Sequence, residues 1–105
     1  MKIPEKIKIG GFIWEVIESD DIANESATFG STHFHHQKIF LEAGENQQKK
    51  EQCLLHEIMH AIFWQTGLEK RLDNKEVNIT EEEFITAVSN GLYQVIKDNP
   101  EIWKP

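Results

Sequence analysis

Residues 53–67 read CLLHEIMHAIFWQTG. Leu54, Leu55, Ile58, Met59, Ala61, Ile62, Phe63 and Trp64 leave almost no polar side, so a helix here is buried over most of its circumference. Gly67, followed by Leu68, ends it, because glycine takes the left-handed conformation that caps a helix C-terminus. The polar stretch AGENQQKK at 43–50 leads in, which sets the helix at about Asn46 to Thr66. Within it stands His56-Glu57-Ile58-Met59-His60. Two imidazoles and a carboxylate are costly on a buried face unless something holds them.

Upstream, Lys6-Ile7-Lys8-Ile9 alternates and Phe12–Glu18 is aromatic and β-branched, with Gly10-Gly11 between them. That pattern predicts a hairpin over 6–18. A third strand is expected over Thr28–His35, with a bulge at Gly30, and a fourth over Gln37–Glu42, with Ile39 and Leu41 on one face. Downstream, 69–79 is charged and has no clear period. Thr80 and Glu83 then form a capping box, and Ile85, Val88, Leu92, Val95 and Ile96 space as a helical stripe. The second helix stops near Asp98, because Asn99 precedes Pro100.

With 105 residues the chain has room for one core, and 39% hydrophobic with 28% charged residues is a globular composition. A net charge of −7 argues against nucleic-acid binding, which needs clustered Lys and Arg. One cysteine, Cys53, allows no intrachain disulfide and fits a reducing compartment. MKIPEKIKIGG carries no signal-peptide core, and no run approaches the ~20 apolar residues of a membrane span. The expectation is a cytoplasmic chain with no membrane partner.

The H-E-x-x-H spacing has a mechanical meaning. Helical residues are about 100° apart, so His60 lies about 40° from His56, one turn further on. Two imidazoles so placed reach one ion at the about 2.0–2.1 Å bonds zinc prefers. Glu57 lies about 60° beyond His60. It can face a metal-bound water, whose pKa zinc lowers towards neutrality, take its proton and pass it to a leaving amine. A catalytic zinc usually has three protein ligands and one open position. The third is sought among Glu81, Glu82 and Glu83, or His33, His35 and His36. The plain alternative tucks His56 and His60 into the core on carbonyl hydrogen bonds. Cys53 reads as a small buried residue.

HEIMHAIF, the glycine-capped helix end and EEEFITAVSNGLYQVIKDNP together resemble the minimal gluzincins. These are small zinc metallopeptidases of phages and mobile elements, related to the ImmA/IrrE-type endopeptidases. The resemblance covers about residues 37–100 well and the hairpin loosely. It implies a short twisted sheet before the zinc helix, a third ligand from the following helix, and substrate bound in extended form along the sheet's edge. Carried across, His56 and His60 match the ligands and Glu57 the general base. Glu83 is set aside by its capping-box place. Glu81 and Glu82 lie about 40° and 60° from Ile85; the register of NGLYQVIKDNP favours Glu82, with Glu81 its rival. Larger relatives also supply a transition-state Tyr or His, which nothing here matches; Tyr93 reads as packing.

The expected architecture is α+β: one domain over 1–105, an antiparallel sheet within about 6–42, an active-site helix at 46–66 and a C-terminal helix at 81–98. The expected cofactor is one zinc ion and the expected partner a peptide or protein substrate, making the chain a zinc metallopeptidase. The alternative is a zinc-stabilised regulatory or binding module of phage or mobile-element origin without turnover. The strand at Gln37–Glu42, just before the zinc helix, is expected to be the edge that pairs with substrate.

Overall fold

The computed structural model describes residues 2–20, 30–73 and 79–103. Gly10 and Gly11 both adopt positive φ, 56° and 92°, as a two-residue primed turn requires. They join β1 (Lys6–Ile9) to β2 (Phe12–Ser19), with Ile9 opposite Phe12. Ile7, Ile9, Trp14 and Val16 point into the core, while Lys8, Ile13 and Glu15 face out.

β3 is Gly30–His33, shorter than expected, and Thr28 and Phe29 lie outside the described residues. Gly30 pairs with Leu41, and the register is continuous from there to His33 opposite Lys38. His35 stands in the turn before β4 (Lys38–Glu42) and does not share a strand face with His33. Gln37 closes that turn at φ 52°.

The four strands form one mixed sheet in the order β1-β2-β4-β3. The β1–β2 and β3–β4 pairs are antiparallel, but β2 and β4 run parallel, which corrects the all-antiparallel expectation. The reason is which strand of the second hairpin is apolar. β4 carries Ile39 and Leu41, both fully buried, and takes the slot beside β2. β3 reads Gly-Ser-Thr-His, has little apolar surface to hide, and is left at the edge. The Gln37–Glu42 stretch is therefore interior rather than the expected edge. At the opposite edge, Lys8 N–H donates to Asn99 Oδ1 at 3.0 Å and Asn99 Nδ2 donates to the Lys8 carbonyl at 2.8 Å.

α1 runs Gln47–Thr66. Asn46 caps its start by accepting from Lys49 N–H at 2.9 Å, and Gly67 ends it at φ 77°. Leu54, Ile58, Ala61 and Ile62 pack on Ile7, Ile9, Trp14, Ile39 and Leu41 to form the core. A short helix, α2 (Leu68–Asp73), follows within the stretch that showed no period. Fewer than two turns cannot display a 3.6-residue repeat. α3 (Glu81–Asp98) starts at the expected box, where Thr80 Oγ1 accepts from Glu83 N–H at 3.1 Å. The Arg71 guanidinium, 2.7 Å from Glu83 and helped by the Thr80 hydroxyl, holds the Glu83 carboxyl below its ordinary range. A 3-10 turn, Pro100–Ile102, closes the described chain. No described helix is long and apolar enough to cross a membrane.

α3 packs on β1 and α1 along one side of the stripe read from its apolar residues, the side of Val88, Leu92 and Val95. Val95 is fully buried, whereas Ile85 and Ile96 are 47% and 46% exposed. Gly91 explains the rotation. A Cβ there would stand 2.7 Å from Ile62 Cγ2, so α3 meets α1 at the one position with no side chain. Gly91→Ala should therefore destabilise the fold by up to about 2 kcal/mol: overpacking costs about 1–3 kcal/mol, and alanine's helix preference returns about 1 kcal/mol. Urea unfolding midpoints would measure this. In an Ile62→Ala background the same substitution should no longer cost stability.

Candidate metal centre

The face of α1 centred on Ile58 rests on the sheet. His56 and His60 each lie about 160° around the helix from Ile58, one on either side of the outermost line. Both are exposed, the His56 side chain 68% so, which overturns the alternative that they are core histidines. Their Nε2 atoms face each other at 3.1 Å, with the rings crossed at 76°. Two donors on one tetrahedral ion with bonds of about 2.0–2.1 Å stand about 3.3 Å apart. The pair is thus spaced to share a zinc ion after a shift of a few tenths of an ångström, and imidazole is a donor that suits zinc. A hydrogen bond between the two rings requires one to donate an Nε2 proton to the lone pair of the other.

Glu57 lies about 100° from Ile58, where the core-facing arc gives way to the β3 side. It is 6% exposed and is the one buried charged residue among those described. Thr32 Oγ1 donates to its Oε1 at 2.7 Å, and Oε2 lies 3.9 Å from His56 Nε2. A Cβ on Gly30 would meet Glu57 Cγ at 3.2 Å and Oε2 at 3.3 Å. Burying a carboxylate carries a penalty of several kcal/mol that a hydroxyl only partly offsets. Such a group is a poor choice for stability and an understandable one for chemistry.

Glu81, Glu82 and Glu83 are all exposed on the first turn of α3. That turn lies beside the end of α1, where the Phe63 and Phe84 rings meet edge to face with centroids 5.7 Å apart. Glu83 is engaged by Arg71 and Thr80. Measured from the buried Val95 instead of the exposed Ile85, Glu81 lies about 40° away and Glu82 about 140°. Among the described residues no three His, Cys, Asp or Glu side chains are grouped to hold a metal ion. The structure brings His56, Glu57 and His60 together and leaves Glu82 apart from them.

Of the remaining histidines, His36 is exposed in the turn before β4, and His33 and His35 have neighbours of their own. His33 Nε2 is 3.2 Å from Ser31 Oγ and its ring packs on Phe40, while His35 stands edge-on to Trp64. Tyr93, read as a packing residue, is exposed. Cys53 is half-buried, and burial pushes its thiol up. Thr32 and Gly30 were missed as site residues. Two positions apart on a strand they share a face, but only the packing of β3 on α1 turns that face to Glu57.

No family model, curated protein or solved structure matches the chain.

The histidine pair gives a direct measurement. An ion that binds only the folded state adds about 2.7 kcal/mol at a hundred times its Kd. His56→Ala and His60→Ala should each lose most of the zinc-dependent rise in Tm while unfolding like the parent in chelator, since both side chains are exposed. Thermal scans with and without zinc, alongside metal analysis, check this.

Proposed function

We propose that this chain is a zinc-dependent metallopeptidase, an endopeptidase in which His56 and His60 hold the ion and Glu57 is the general base. The observation that carries this reading is the pair of Nε2 atoms 3.1 Å apart with Glu57 Oε2 3.9 Å from one of them. Bound zinc supplies the positive charge that acidifies water and polarises a carbonyl. Oε2 of Glu57 accepts a proton from the attacking water as the water oxygen bonds to the peptide carbonyl carbon. Glu57 then gives that proton to the amide nitrogen as the C–N bond breaks. The burial of Glu57 limits competition from bulk water for its carboxylate.

The proposed partner is a peptide in extended form. Among the described residues β3 is the outer strand beside Glu57, so the strand-addition role moves from β4 to β3. A net charge of −7 and the absence of a described helix able to cross a membrane accord with a partner that is neither nucleic acid nor bilayer. A single cysteine accords with a cytoplasmic setting.

The proposed third donor is Glu82, on the register of the resemblance to the minimal gluzincins. Glu81 is the rival, on its inward rotation. A second reading, a zinc-stabilised regulatory or binding module of phage or mobile-element origin without turnover, is favoured by one observation: the described residues gather two histidines but no third donor.

Glu57→Gln tests the chemistry. The amide cannot accept the proton, so the variant should bind zinc and fold like the parent yet cleave peptides about 10²–10⁴-fold more slowly. Unchanged turnover removes Glu57 from the reaction, and a zinc-loaded parent that cleaves nothing in a broad peptide screen favours the binding module. The third donor is decided separately by zinc titration of Glu81→Gln, Glu82→Gln and Glu83→Gln. Glu82→Gln should weaken zinc binding most, whereas the largest loss at Glu81 would shift the ligand by one position.

A further inference from the structure

We infer that Thr32 is a positioning residue for Glu57, holding Oε1 so that Oε2 is the oxygen turned towards the histidines; this rests on the reading of Glu57 as the base. The two oxygens of a carboxylate are chemically equivalent, and the last torsion of a glutamate side chain is broad and roughly two-fold. A glutamate left to itself on α1 would sample many directions. Here three contacts restrict it. The Thr32 hydroxyl donates to Oε1 at 2.7 Å. The same hydroxyl lies 3.4 Å from the Glu57 carbonyl, so it reaches both the main chain and the side chain of one residue. Gly30 then flanks the other oxygen so closely that any Cβ would stand 3.3 Å from Oε2 and 3.2 Å from Cγ. Oε2 is left on the side of His56 Nε2.

The direction of the Thr32 hydroxyl is itself fixed. Threonine is branched at Cβ and stiff at χ1. Its backbone is set by the β3–β4 ladder, in which Thr32 stands opposite Ile39, a fully buried residue. The edge strand thus transmits the position of the core to one carboxylate oxygen. A small residue at 30 and a hydroxyl at 32, on one face of the strand, complement a glutamate with one bound and one working oxygen.

A merely structural hydrogen bond would also satisfy a buried carboxylate, so the test needs readouts that separate the two roles. Thr32→Val keeps the shape of the side chain and deletes the hydroxyl, and Thr32→Ser keeps the hydroxyl. Zinc-loaded full-length parent and variants are compared on a peptide that the parent cleaves. Thr32→Val should lose about ten- to hundredfold in kcat, the range a hydrogen bond to a charged group commands. KM and zinc affinity should stay at parental values, and Thr32→Ser should recover most of the loss. Added to Glu57→Gln, Thr32→Val should slow turnover no further. Without peptide or zinc, Thr32→Val should lower the urea midpoint in the parent, and by clearly less in a Glu57→Ala background, so that the two effects are not additive. Parental kcat in Thr32→Val overturns the inference, as do additive midpoints, a loss of zinc affinity that accounts for the loss of kcat, or a Thr32→Ser variant as slow as Thr32→Val. Each of those outcomes leaves the assignment of Glu57 as base standing. A zinc-loaded parent without turnover, or a Glu57→Gln variant with parental turnover, instead overturns that assignment and this inference with it.

Discussion

The burial of one side of α1 on the sheet governs the rest of the molecule. Leu54, Ile58, Ala61 and Ile62 must all reach the core, and they fix the rotation of the helix. Glu57 has no independent say in that rotation and is carried to the margin of the buried arc. Fully burying a large aliphatic side chain contributes about 1.5–3 kcal/mol, so Leu54, Ile58 and Ile62 together outweigh a penalty of several kcal/mol for one carboxylate. The same rotation turns His56 and His60 outward, where an ion from solvent can reach them. Apolar packing thereby places Glu57, the proposed base, inside and the candidate ligands outside on one helix.

The two edges of the sheet are treated differently. At β1 the Asn99 amide takes both backbone groups of Lys8, and Gln65 donates to the Ile9 carbonyl at 3.0 Å. These contacts occupy an edge that would otherwise invite pairing with another chain. Gln65 also accepts from Trp14 Nε1 at 2.8 Å, so the closure is tied to the core. At β3 the Thr32 hydroxyl and the bare backbone of Gly30 lie against Glu57 instead. The edge beside the proposed reaction is thus the one built from small and hydroxylated residues, and the apolar strand of that hairpin lies inside.

Much of this was legible in the sequence where the determinant is local. Gly10-Gly11, Gly67 and Thr80 act through their own backbone and neighbours, and the turn, C-cap and N-cap read from them are all present. The helix at 47–66 follows from its long apolar run and the Gly67 cap, and that at 81–98 from its capping box and the Asn99-Pro100 stop. Strand order was not legible, because alternation says which residues of β4 face in but not which strand lies beside it. The stripe on the second helix misled for a related reason. Ile85 and Ile96 are apolar at helical spacing, yet the rotation is set by the fit of Gly91 against Ile62, a contact between residues 29 positions apart. The role of Thr32 depends on a pairing of the same kind, between β3 and α1.

That rotation bears on the acidic turn at 81–83. Three glutamates at a helix N-terminus are favourable whether or not a metal is present, because the dipole there is positive. Their occurrence alone says little about ligation. Arg71 restricts the choice by drawing Glu83 towards α2, and of the other two, both exposed, Glu81 lies on the helix line nearer the buried Val95. The Phe63–Phe84 contact holds this turn next to the end of α1, on the flank of the helix opposite Glu57. A carboxylate supplied from that side would approach the histidines across from the base. The base proposed on α1 is held from the β3 side by Thr32, and the acidic turn of α3 stands on the other flank of the same helix.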